Sequence, residues 1–165
     1  MIKKYTSVLT TAILASTLSF SVQASEWFNS KDGVGNTVAH TESTDKTTYL
    51  FYTRIDGDEK LQVLNKDTYY LRDGDEINVT LSIDDMEDSY YLEGTVDEGM
   101  LVIHELDNYR EMKGLSAQMK MSDSLSIRFS FEPRDEKGNR QETVDRVFNF
   151  SLDGSSRTMS EAYYN

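Results

Sequence analysis

The side chains with the greatest capacity for chemistry in this sequence are its carboxylates, and they are bunched. The tetrapeptide Asp-Gly-Asp-Glu occurs at Asp56–Glu59 and again at Asp73–Glu76. Carboxylates two residues apart around a glycine can converge on a hard cation such as calcium, which makes Asp56, Asp58, Asp73 and Asp75 candidate metal ligands. Neither copy continues into the spacing of an EF-hand loop or a β-roll, and Asp-Gly is also good turn chemistry. The tetrapeptides therefore read first as turns and second as calcium loops. A denser run, Asp84-Asp85-Met86-Glu87-Asp88, leads into Ser89-Tyr90-Tyr91. Asp84, Asp85, Glu87 and Asp88 repel one another, and a basic protein surface would relieve that repulsion. Tyrosine rings beside such a patch supply contact area. These carboxylates together with Tyr90 and Tyr91 are the candidate protein-binding residues, with an ordinary solvated loop as the alternative.

For catalysis the inventory is thin. His40 and His104 are the only imidazoles and there is no cysteine, so thiol chemistry and cysteine metal sites are excluded. No G-x-S-x-G elbow accompanies the histidines, and His104-Glu105 does not continue into an H-E-x-x-H zinc helix. Paired carboxylates could serve glycoside hydrolysis, but in a chain with 29 acids no pair stands out. Phosphate-binding glycine loops and basic stripes with stacking aromatics are missing from the sequence, so a nucleic-acid partner is not expected.

The amino terminus carries an address. Lys3 and Lys4 precede a mostly small and apolar stretch from Val8 to Val22, and Val22-Gln23-Ala24 fits a signal-peptidase site. Residues 1–24 read as a cleaved Sec-type signal peptide of a bacterial protein, with a mature chain from Ser25 to Asn165 in the periplasm or secreted. The apolar run is too interrupted to anchor in a bilayer, so no membrane insertion is expected after cleavage. Losing Lys3 and Lys4 and no acid takes the formal charge from −12 to −14. That balance favours colloidal solubility and a cationic partner.

The elements that must position these residues are mostly strands. Two-residue alternation, rich in Val, Ile, Tyr, Thr and Phe, marks strands at Thr37–Thr41, Thr47–Arg54, Leu61–Leu64, Thr68–Leu71, Glu76–Ile83, Tyr90–Val96, Met100–His104, Ser124–Phe131 and Val144–Leu152. In the Tyr69-Tyr70 and Tyr90-Tyr91 doublets this pattern buries one ring and exposes the other. Tyr109, Met112, Leu115 and Met119 recur instead at helical spacing, and Thr158–Tyr164 could form a last helical turn. The expected fold is mainly β, a single antiparallel β-sandwich or barrel of about eight strands with one or two short helices, spanning residues 25–165.

The order of features resembles the invasion-associated locus B family of small exported β-proteins. Trp27 soon after the signal, Leu71-Arg72-Asp73-Gly74 before the strand Ile77–Ile83, Asp84 at its end and Phe150-Ser151-Leu152-Asp153-Gly154 near the carboxyl terminus carry the resemblance, though this chain lacks that family's cysteines. It implies a non-enzymatic periplasmic β-domain and assigns no functional residues. Export, size, an acidic tyrosine-bearing surface and the thin catalytic inventory converge on a non-enzymatic module that binds a protein, such as an inhibitor or immunity protein against a cell-wall-targeting enzyme or toxin. A structural or stress-related envelope domain, calcium-stabilised through the Asp-Gly-Asp-Glu loops, and a small hydrolase are the other readings.

Overall fold

The alternation of Glu76–Ile83 shows how the molecule is built. Ile77, Val79, Leu81 and Ile83 are buried while the residues between them reach the opposite face. The computed structural model describes residues 26–32, 35–55, 58–84, 89–104, 109–135 and 137–163. In chain order these form β1 (Phe28–Lys31), β2 (Thr37–Glu42), β3 (Thr48–Ile55), β4 (Asp58–Asn65), a 3-10 helix (Lys66–Tyr70), β5 (Glu76–Ile83), β6 (Ser89–Asp97), β7 (Met100–His104), α1 (Tyr109–Met119), β8 (Ser124–Phe131), β9 (Val144–Ser151) and α2 (Ser155–Tyr163). The protein is mainly β, as its alternation predicts. The nine strands form one antiparallel sheet in the order β1-β2-β3-β4-β7-β6-β5-β8-β9, and the sheet is not closed.

Its two ends nevertheless meet. Thr44 N, in the β2–β3 turn, donates to Asn149 O of β9 at 2.8 Å, and the Trp27 indole donates to Ser151 O at 2.9 Å. A nine-stranded sheet whose ninth strand touches the turn between the second and third must curl back on itself, which right-handed strand twist favours. The inward residues then share one core running from Trp27 to Ala162. Paired positions line up across it: Ala39 opposes Tyr52, Tyr52 opposes Leu61, Leu61 opposes Ile103, and Ile103 opposes Gly94, which opposes Ile77. At Gly94 a β-carbon would lie 2.7 Å from Leu101 Cδ1, so the missing side chain makes room for a buried leucine.

Helix α2 packs on β1, β2 and β3, burying Met159 and Ala162. The amphipathic spacing read at 109–119 is helical, with Leu115 and Met119 in the core. Ser155 Oγ donates to Met119 O at 2.9 Å, joining the start of α2 to the end of α1.

The segment Thr68–Leu71 is not a strand, although its Thr, Tyr and Leu favour one. It lies in the 3-10 helix and its exit, because buried Asn65 imposes a cap. Asn65 Oδ1 accepts from Asp67 N at 2.8 Å, Thr68 Oγ1 is within 2.6 Å of both Asn65 O and Gly99 O, and Asn65 Nδ2 donates to Thr48 Oγ1 at 2.6 Å. A buried amide finds these partners only if the chain turns there. The Asp97–Met100 hairpin follows its sequence more directly. Glu98 and Gly99 take φ of 49° and 76°, the left-handed pair of a two-residue turn that matches strand twist.

Candidate binding surfaces

Strand β3 faces two ways. Leu50 and Tyr52 point into the core at 0% exposure, so pleating turns Tyr49 and Phe51 to the outer face. Register brings two more rings beside them: Phe28 of β1 opposes His40 of β2, and His40 opposes Phe51. The result is an outward row, Phe28–His40–Phe51–Tyr49, with centroids 6.0, 5.9 and 6.3 Å apart and tilts of 38°, 31° and 30°. Such spacing and tilt lie within the favourable range for ring pairs. Phe28 is 53% and Tyr49 42% exposed. His40 Nδ1 lies 3.5 Å from Ser30 Oγ, and Glu42 of β2 pairs with Tyr49 at the end of the row.

The residues singled out by sequence are dispersed. Asp84, at φ 50°, is exposed, and its carboxylate accepts the amides of Asp123 and Ser124 at 2.8 and 2.9 Å. The Ser124 amide above all, with that of Asp123, holds its carboxyl below the usual range. It therefore fixes the entry to β8. Asp85, Glu87 and Asp88 lie outside the described residues. The tyrosine doublet divides as pleating requires: Tyr91 is 73% exposed, whereas Tyr90 packs against the core and its hydroxyl donates to Gln118 Oε1 at 2.6 Å.

Asp56 also lies outside the described residues. Asp58 opens β4, and Asp73 and Asp75 lie in the turn before β5, where Gly74 takes φ 86°. β4 and β5 run antiparallel with β7 and β6 between them, so their starts fall at opposite ends of the sheet. The two Asp-Gly-Asp-Glu copies cannot share an ion. In the second, Asp75 Oδ2 accepts the Arg72 amide at 3.1 Å and Oδ1 lies 3.7 Å from Arg134 Nη2. Among the described residues no group of three acids or histidines has the geometry of a metal site. His104 ends β7, three strands from the strand of His40 in the sheet order β2-β3-β4-β7.

Two further features are tertiary. Tyr52 is fully buried, and its hydroxyl and Glu59 Oε2 have no hydrogen-bond partner among the described residues. Burial first, and the Glu59 charge second, push the Tyr52 phenol well above its ordinary value. Where β5 begins and β8 ends lies a groove of about 600 Å³ lined by both strands and by Glu132, Arg134, Arg140 and Thr143.

Sequence alternation marks Tyr49 and Phe51 as same-face residues, but nothing in the four residues of β1 alternates in burial, so the row is not legible as a row. The fold and these surfaces define a mainly β protein with an open, curled antiparallel sheet and an exposed aromatic row. No known protein family, curated protein or solved structure matches the chain.

Proposed function

We propose that the mature chain is a non-enzymatic protein-binding module of the bacterial periplasm, of the inhibitor or immunity type, and that its partner presents a basic surface. The observation that carries this reading is the Phe28–His40–Phe51–Tyr49 row, whose outer rings are 53% and 42% exposed. Aromatic side chains bury large areas at little entropic cost and dominate interface hot spots. Four rings in line on a sheet face with both ends of the row exposed, rather than a scatter of single apolar residues, support a role in contact. The charge of −14 after loss of the signal supplies the complement: it attracts a cationic partner and speeds encounter.

The test is capture from envelope extract on the mature protein, run beside Phe28→Ser/Tyr49→Ser and beside Met121→Ser, an exposed residue away from the row, as a surface control. A partner held by the native and control proteins, weakened by salt, and bound about tenfold or more weaker by the double variant is expected. A partner indifferent to the double variant, or no reproducible partner at low salt, overturns the proposal.

A further inference from the structure

We infer that the pocket between the start of β1 and the first turns of α2 takes an arginine side chain of the protein partner. This rests on the protein-binding reading and adds to it the residue by which the partner is anchored. The pocket has a volume of about 410 Å³, within the range of small-molecule sites. It lies at the end of the aromatic row, because Phe28 belongs to both. Asn29 Nδ2 donates to Glu161 Oε2, which ties α2 to the edge strand and makes the pocket a wedge between them.

The lining is of two kinds. Trp27 and Thr158 contribute as buried residues, and Phe28 as an exposed ring. Glu26, Asp153 and Glu161 bring three carboxylates against the single guanidinium of Arg157. That guanidinium is engaged within the helix, where its Nε donates to Glu161 Oε1 at 3.1 Å. Glu26 and Asp153 are exposed, and their carboxylates have no hydrogen bond or ion pair among the described residues. Both are therefore open to a group arriving from solvent. Such a lining repels an anion, and an aliphatic side chain would leave the two carboxylates without a counter-charge. A planar cation suits the ring and the carboxylates together. A guanidinium is attracted to an aromatic face, offers a fork of N–H donors to carboxylates and is more weakly hydrated than an ammonium.

Trp27 is the chain's only tryptophan, so its fluorescence reads the pocket. Titrating the mature protein with N-acetylarginine amide at low salt is expected to change the emission saturably at millimolar concentration. N-acetyllysine amide should bind about threefold or more weaker, and N-acetylnorleucine amide should leave the emission unchanged. Glu26→Gln/Asp153→Asn, which alters only exposed side chains, should weaken the arginine amide about fivefold at an unchanged melting temperature. The same variant should hold the captured envelope partner more weakly than the native protein does. Equal responses to the three amides overturn the inference, as does a double variant that binds the arginine amide or the partner like the native protein. No response to the arginine amide overturns it too, even where Phe28→Ser/Tyr49→Ser loses the partner, and the row then stands without the pocket. A saturable arginine response with no partner captured counts instead against the protein-binding reading.

Discussion

At Tyr52 the chain buries a phenol whose hydroxyl has no hydrogen-bond partner among the described residues. Removing one unpartnered buried group costs little, because no bond is lost and a desolvation penalty is relieved. Tyr52→Phe is therefore expected to lie within about 0.5 kcal/mol of the native protein at neutral pH in urea unfolding. The two should diverge in alkali. The folded pKa is raised above the ordinary phenol value of 10.0, so the native protein's stability is intact below that pH. It falls as pH climbs beyond, because the unfolded state releases the proton first. The phenylalanine variant lacks this loss, and equal alkaline slopes for the two proteins would refute the account. Asp84 shows how a single residue misleads a sequence reading. Its carboxylate is one of four in a run of five residues, but the amides it accepts belong to residues about forty positions away.

At the scale of the element, alternation made β5 and β8 legible, since half their residues face one core and period two is the direct image of that burial. Where another force set the conformation, the pattern failed. β1 has four exposed residues and is a strand because β2 pairs with it, and Thr68–Leu71 turns because Asn65 caps it. Gly94 tests the packing of paired strands. A methyl group there would meet Leu101, itself fully buried, and would crowd Val102 O at 3.2 Å. Overpacking of this kind costs about 1–3 kcal/mol, more than the roughly 0.5–1 kcal/mol that replacing a strand glycine returns. Gly94→Ala should lower the urea midpoint with an unchanged slope; an unchanged midpoint would show that Leu101 can yield.

For the whole molecule, charge is the dominant surface property. A chain at −12 repels itself, so screening should raise its melting temperature as sodium chloride is added. Calcium is the sharper probe. The second Asp-Gly-Asp-Glu loop has its Asp75 carboxylate engaged by the Arg72 amide and near Arg134, and the first lies at the other end of the sheet. Millimolar calcium is expected to raise the midpoint no more than sodium at equal ionic strength, whereas binding to the native state would add a concentration-dependent increase. Such an increase would restore the calcium-stabilised reading.

By itself the sequence determined the fold class, most strand positions, both helices in outline, the division of Tyr90 from Tyr91 and the net charge, because each of these is a local or additive property of the chain. Only the tertiary structure decided that nine strands make one curled sheet tied at Trp27 and Thr44. It alone aligned Phe28, His40, Phe51 and Tyr49 across three strands, and set Arg134 beside Asp75. Those arrangements depend on which strands pair and in what register. Register is fixed by the fit of the whole core, and no single segment carries it.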